Sequence, residues 1–156
     1  MWLGLAAAAA VIILDQITKY WVLSFLGVSA YIPFGDYFNL VRAWNTGVSF
    51  SMLNDYGNMG AWLLSGLAVV IVIMLFFWLR KENSRVIQAA LGMIMGGAVG
   101  NVIDRIRFGA VFDFLDVHIG DHHWPAFNAA DSFICIGAAI IIAEAVVAKI
   151  RKEKEK

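Results

Sequence analysis

Met59 to Leu79 reads MGAWLLSGLAVVIVIMLFFWL, a stretch without a single charge. A bilayer core about 30 Å thick needs about 20 largely apolar residues in helical form, so this stretch is predicted to span a membrane on length alone. Working outward, Val86 to Ile103 comes close to the same pattern before Asp104 interrupts it. Met1 to Leu14 is uncharged but short, so a spanning helix there must run on through Asp15, Gln16 and Lys19 towards Leu26. The last apolar segment, Asn128 to Ala148, carries Asp131 at its start and Glu144 near its end, and spans if those charges lie near the interfaces or face protein. The expected helices are about 3–26, 59–79, 86–104 and 128–148. The fold class is an all-α polytopic membrane protein, its four transmembrane helices joined to a small β-rich extracytoplasmic platform.

Composition excludes the main alternatives. Of 156 residues, 61% are hydrophobic and only 15% charged, with a mean hydropathy of +0.74, too little polar surface to keep a globule in water. Twelve Lys and Arg balance twelve Asp and Glu, which excludes the net basic face of a nucleic-acid binder. One cysteine, Cys135, rules out an intrachain disulfide or a thiolate zinc cluster, and within Phe133 to Ile142 it reads as a small buried hydrophobe. The six Trp fall mostly near predicted interfaces and read as belt residues.

The first segment shares with secretory signals a poly-Ala run and a small-residue Val28-Ser29-Ala30 site. No Lys or Arg precedes it, and Asp15 and Lys19 would interrupt the apolar region, so an uncleaved first helix is expected. Arg80, Lys81, Arg85 and the basic residues after 148 lie on one side, against Arg42, Arg105 and Arg107 on the other. Basic residues concentrate in cytoplasmic loops, so both termini are expected in the cytoplasm and segments 27–58 and 105–127 outside. Both outer segments hold aromatic and β-branched residues in short runs, Val111 to Leu115 above all, which predicts strands.

Ionisable groups at membrane depth are candidate site residues, with structural ion pairs as the competing explanation. Asp15 and Lys19 sit four apart on one helix face in the acid-before-base order that favours pairing, and a structural pair is the simpler reading. Asn45-Thr46-Gly47 reads first as a tight turn. Gly100-Asn101-Val102-Ile103-Asp104-Arg105 ends an apolar helix in an amide, a carboxylate and a guanidinium. Asp104 and Arg105 are sequence neighbours, so at least one must reach another segment. Arg105 is either an interface anchor or part of a site. Asp113 alternates with Phe112 and Phe114 and so faces away from both. Asp131 stands at the start of the fourth helix, where a cap is the ordinary explanation. With both aspartates on one side at the bilayer edge, a paired-carboxylate site for water activation becomes possible. Asp116, His118, Asp121, His122 and His123 invite a metal reading, but their spacing matches no tight ligand motif, and neither metal nor cofactor is expected.

Taken in order, Asp15-Gln16-Ile17-Thr18-Lys19, Asn45-Thr46-Gly47 with Phe50, Gly100 to Arg105, Val111-Phe112-Asp113-Phe114 and Phe127-Asn128-Ala129-Ala130-Asp131 resemble the motifs of the lipoprotein signal peptidases, or signal peptidase II, bacterial inner-membrane aspartic proteases. The resemblance implies a single membrane-embedded peptidase domain over residues 1–156. It implies Asp113 and Asp131 as the catalytic dyad, with Asp15, Lys19, Asn45, Gly47, Asn101, Asp104, Arg105 and Asn128 lining or bracing the site. Its substrates would be lipid-modified prolipoproteins, cut just before the diacylglyceryl cysteine by a monomer that meets its partners in the lipid phase, with the site near the periplasmic face. Val48 departs from the small residue usual in the family, and the 118–123 segment matches none of its motifs. One carboxylate of such a dyad must be ionised and the other protonated. Asp131 at a helix start is expected to be the anion and Asp113 the proton holder. An ion-path subunit would place charges through the bilayer depth, whereas these crowd towards one side. A purely structural scaffold would not call for paired aspartates.

Overall fold

Small residues decide which helices touch. The computed structural model describes residues 1–47 and 59–154. Among these, four helices are long and apolar enough to cross a membrane: α1 (Trp2–Leu26), α2 (Met59–Lys81), α3 (Arg85–Phe108) and α4 (Ala129–Lys154). On α1 the buried positions Gly4, Ala8, Val11, Asp15, Lys19, Val22 and Leu26 recur every three or four residues and form one stripe. That stripe meets Gly92, Gly96 and Gly100 of α3, also four apart. A Cβ at Gly96 would stand 2.6 Å from the Ala8 carbonyl oxygen and 2.8 Å from Val11 Cβ. The other flank of α3 packs as tightly on α4, where a Cβ at Gly97 would come within 2.5 Å of the Ala130 carbonyl oxygen. In lipid, where tails are as apolar as the helices, close backbone approach through small residues supplies the packing that a hydrophobic drive cannot. α3 is therefore the central helix. The outward residues, such as Val70 and Met74 of α2, stay exposed and apolar, as a lipid-facing surface requires.

Two helix ends differ from the sequence expectation. α3 continues past Asp104 to Phe108, because Arg105, Ile106 and Arg107 are adequate helix formers and the first residue able to stop the helix is Gly109. Gly109 adopts φ 74° and donates its N–H to the Arg105 carbonyl, a left-handed C-cap. Arg105 thus lies inside the helix and not in the outer segment. α4 runs to Lys154, since nothing between Lys149 and Lys154 breaks a helix.

The platform is a four-stranded antiparallel sheet in the order β1 (Tyr31–Pro33), β2 (Phe38–Asn45), β3 (Val111–Ile119) and β4 (His122–His123). Phe112 and Phe114 of β3 pack on Val22 and Leu26 of α1, which seats the sheet at the end of the bundle where α1 and α3 stop and α4 starts. Leu40 of β2 faces Leu115, but Ala43 faces Asp113, so β2 holds one extra residue between them. Asn45 is an odd number of residues from Leu40 and would lie on the opposite face of a regular strand. The bulge brings it to the Asp113 face.

The glycine seam gives a direct test. Gly96→Ala should be less stable than Gly66→Ala, whose added Cβ meets nothing within 4 Å. Both substitutions gain the same helix propensity, so the difference isolates overpacking at about 1–3 kcal/mol. Thermal unfolding in detergent micelles measures it, and equal melting temperatures would mean that α1 and α3 can separate freely at this point.

Candidate active site

The first turn of α4 organises the site. Asn128 is its N-cap: its Oδ1 accepts the backbone N–H of Asp131 at 3.0 Å, while Asp131 Oδ2 accepts the backbone N–H of Asn128 at 3.3 Å. This reciprocal arrangement is a capping box in which the third helical residue is an aspartate. Phe127, just before the cap, pairs with Leu115, exchanging N–H to carbonyl bonds of 3.0 and 2.8 Å. The cap is thereby fastened to the edge of β3, beside Asp113. Asn128 Nδ2 donates to Asp113 Oδ1 at 2.7 Å, so one buried residue holds both carboxylates, Asp113 by its side chain and Asp131 by its backbone N–H. From the other strand, Asn45 Nδ2 donates to Asp113 Oδ2 at 3.0 Å. Gly47 makes that turn possible: it adopts φ 83°, donates its N–H to Asn45 Oδ1 at 2.8 Å, and has no room for a Cβ against Leu64.

Behind the pair lies a buried ion cluster. Lys19 Nζ is 2.9 Å from Asp15 Oδ2 and 2.9 Å from Asp104 Oδ2, and donates to Asn101 Oδ1 at 3.1 Å. All three ammonium protons are used. Asn101, its oxygen held by Lys19, turns its Nδ2 towards Asp131 Oδ1 at 2.8 Å. Asp15 Oδ1 accepts the backbone N–H of Ala130 at 2.9 Å, taking another free amide of the first turn of α4. Asp104 Oδ2 accepts the Phe112 N–H at 3.1 Å and so ties α3 to β3. The Asp15–Lys19 pair of the sequence is thus structural and also reaches, through Asn101, to Asp131.

Burial is the main influence on Asp113, which is 2% exposed, and pushes its carboxyl up to about 6. The bonds from Asn45 and Asn128 pull the other way, and the neighbouring Asp131 charge adds to the rise. The half-buried Arg105 directs its charge at Asp131, Asp113 and Asp104 together. All ten residues singled out from the sequence therefore belong to one connected region at the sheet end of the bundle.

Comparison with known proteins gives the family. Residues 7–147 match the family model described as signal peptidase (SPase) II. The chain belongs to the signal peptidase II family. A lipoprotein signal peptidase of Methylobacterium sp. (strain 4-46) is 42% identical over 151 residues, 96% of this chain and 92% of the relative. One from Ralstonia nicotianae is 45% identical over 143 residues, 90% and 81% of the two chains. A solved structure described as a bacterial membrane enzyme obtained by the in meso method at 2.3 Å resolution is similar with a TM-score of 0.79 and 29% identity, covering 98% of this chain and 92% of that one.

Other expectations fare differently against this signal peptidase II fold. Val48 and Phe50 lie outside the described residues. Cys135 is exposed on α4 and not buried, because α4 packs on α3 through Ala130 and Gly137 and turns this flank outward. The histidine segment forms its own cluster on the sheet: His123 Nδ1 stands 2.9 Å from Asp116, and the His118 ring stacks on His123 at 4.9 Å. Among the described residues no three His, Cys, Asp or Glu side chains are placed to hold a metal. Sequence reasoning gave no role to Gln16 or to the Gly100 backbone. Gln16 Nε2 donates to Asp104 Oδ1 at 3.0 Å, and a Cβ at Gly100 would stand 2.6 Å from Asp15 Oδ2. The glycine spacing on α3 was the available signal.

Removing the cation should expose how much the cluster carries. Lys19→Met leaves Asp15 and Asp104 buried without their counter-ion, and one-sided disruption of a buried pair costs roughly 3–5 kcal/mol. Thermal unfolding in detergent should show that loss, and Asp104→Asn in the same background should restore part of it. A melting temperature within a degree or two of the parent would contradict a shared ammonium.

Proposed function

We propose that this chain is an aspartic endopeptidase that removes the signal peptide from prolipoproteins, cleaving just before the diacylglyceryl-modified cysteine. The observation that carries this reading is the double use of Asn128, whose side chain holds Asp113 at 2.7 Å while its backbone N–H reaches Asp131 at 3.3 Å. Two carboxylates fixed to one residue are the minimum equipment for activating a water without metal or covalent intermediate. The burial-raised carboxyl of Asp113 supports its role as proton holder. Asp131, with N–H donors from Asn101 and Asn128 at a helix start, is suited to the anionic role.

In the reaction so assigned, Asp131 takes a proton from water as the water oxygen attacks the scissile carbonyl carbon. Asp113 gives its carboxyl proton to the developing oxyanion and so stabilises it. The tetrahedral intermediate then collapses: the carbon–nitrogen bond breaks, the leaving amine is protonated by Asp131, and the oxyanion proton returns to Asp113. Arg105 cannot serve as a base and amides do not titrate usefully, so Arg105, Asn45, Asn101 and Asn128 orient the pair and balance its charge. Action as a monomer is part of this reading. The basic residues after α2 and in the last turn of α4 support cytoplasmic termini and a site at the periplasmic face of a bacterial inner membrane.

The decisive assay incubates the purified protein with a lipid-modified precursor and looks for the shortened product. Folded Asp113→Asn and Asp131→Asn should give no product, since an amide keeps the shape but neither takes nor yields the proton. Because Asp113 must keep its proton, kcat/KM should fall as pH rises through about 6. Bound substrate adds burial, so the corresponding limb of kcat should lie higher. Asp131→Asn removes a like charge and should lower the Asp113 value, which carboxyl infrared titration can follow. Turnover by either Asn variant would end the dyad assignment.

Topology has its own test. In a Cys135→Ala background, a cysteine at Ser84 should resist a membrane-impermeant thiol reagent added from the periplasm, and one at Gly120 should react. The opposite pattern would invert the orientation.

A further inference from the structure

α3 carries a cation at each end. Arg85 and Arg107 are 22 residues apart, about 33 Å at 1.5 Å per residue, so the two charges bracket a hydrocarbon core of about 30 Å. Arg107 therefore stands where the headgroups of the leaflet on the sheet side begin. Tyr20, Trp44 and Phe108, all exposed around it, agree with that level, since such aromatics collect at the membrane interface. Arg107 is held in place there without being neutralised. Its guanidinium lies over the Phe108 ring, 4.8 Å from the centroid, and Nη1 donates to Gln16 Oε1 at 3.3 Å. Among the described residues no carboxylate comes within ion-pair distance of it, and most of its N–H donors have no protein partner. Beside it a cavity of about 260 Å³ opens between α1, the end of α3 and the sheet, lined by Gln16, Tyr20, Trp44, Arg107 and Phe112 among others. The cavity contains neither Asp113 nor Asp131.

We propose that this cavity binds the phosphodiester headgroup of an anionic phospholipid, with Arg107 as the residue that selects it. A guanidinium fork meets two phosphate oxygens at once, and stacking on Phe108 has already fixed its plane. The phosphate stays at the Arg107 mouth, since the floor carries Asp104 as well as Lys19, and both Asp104 oxygens are taken by Gln16, Lys19 and the Phe112 N–H. The uncharged remainder of the headgroup faces Tyr20 and Trp44. Ile13, Gln16, Tyr20 and Leu23 recur three or four residues apart and share one face of α1, and the exposed Ile13 continues that face into the hydrocarbon, where the acyl chains lie. A zwitterionic phospholipid offers the same phosphate but brings a second cation beside Arg107, and like charges so placed repel. The apolar cavity between Trp21, Phe25 and Phe38 has no cation in its lining and offers a phosphate nothing. The headgroup contact reaches the rest of the structure through Gln16, whose Nε2 donates to Asp15 Oδ2 at 3.1 Å and to Asp104 Oδ1 at 3.0 Å. A phosphate that orients Arg107 thus also steadies the two carboxylates that hold Lys19. The site holds whatever reaction the chain performs.

The test equilibrates the detergent-solubilised full chain with mixed micelles containing equal amounts of phosphatidylglycerol and phosphatidylcholine, re-isolates the folded protein and quantifies the bound lipids by mass spectrometry. The parent should retain phosphatidylglycerol over phosphatidylcholine about tenfold, the scale of one charge-assisted contact. Arg107→Gln should bring the ratio close to one, and Arg107→Lys, which keeps the charge but loses the fork, should fall between. Arg151→Gln removes another exposed cation, in the last turn of α4, and should leave the parent ratio unchanged. Millimolar inorganic phosphate should not displace the lipid, because a free ion gains nothing from the apolar face of α1. Since the readout is a ratio of two lipids on re-isolated protein, a partial loss of fold does not mimic it. Thermal unfolding gives a second measurement: phosphatidylglycerol should raise the melting temperature of the parent and not that of Arg107→Gln. Equal retention of the two lipids by the parent would overturn the proposal. So would an equal loss of preference in Arg107→Gln and Arg151→Gln, which would mean unspecific surface charge, and displacement by free phosphate, which would mean an anion site without lipid recognition.

Discussion

One ammonium group, almost wholly buried among protein groups, sets the terms for everything else. Lys19 is 5% exposed in a helix that crosses the membrane, and at that depth an unpaired charge is costly. It is tolerated because Asp15, Asp104 and Asn101 take its three protons at 2.9, 2.9 and 3.1 Å. Each of those partners has a second obligation: Asp15 to the first turn of α4, Asp104 to the first strand residues after α3, Asn101 to Asp131. The charge thereby fixes the relative positions of α1, α3, α4 and β3 through four side chains. A fold that lacked this cluster would have to set the start of α4 against α1 and α3 by apolar packing, which is non-directional.

The cluster depends in turn on the absence of side chains. Asp15 reaches Ala130 only because position 100 carries no Cβ to block its carboxylate. Gly92 and Gly96 bring the two helices close enough for that reach to succeed. Packing and electrostatics act here as one constraint: the small residues permit the approach, and the hydrogen bonds made at that approach select it over others of similar packing energy. Such directional bonds are worth more in a bundle whose helix surfaces offer lipid and neighbour almost equal attraction.

Much of this is legible in the sequence. The four spans follow from apolar length, and Asp113 and Asp131 stand out as carboxylates at the edge of apolar segments. Three kinds of information are missing from it. The end of α3 lies beyond the Asp104 that interrupts its apolar run, because a helix stops where its backbone can be capped, at Gly109. The exposure of Cys135 was misread because apolar character does not distinguish a face turned to protein from one turned to lipid. In water an apolar run has an inside; in a bilayer both sides are apolar, and only the small-residue pattern on α3 and α4 tells them apart. Asn45 shows a third limit, since its facing depends on a one-residue irregularity that no propensity announces.

That irregularity has a consequence for how the strand can change over time. Between Leu40 and Asn45 the chain must contain an odd step and an extra residue, so Val41 and Arg42 are constrained in number before they are constrained in kind. Exchanging either for another residue that tolerates a bulge leaves the parity intact. Deleting one leaves Leu40 against Leu115 and the greasy half of the strand content, yet rotates Asn45 away from Asp113. Sequence drift in this hairpin is thus cheap while insertion and deletion are not, and related chains should differ here in letters far more readily than in spacing.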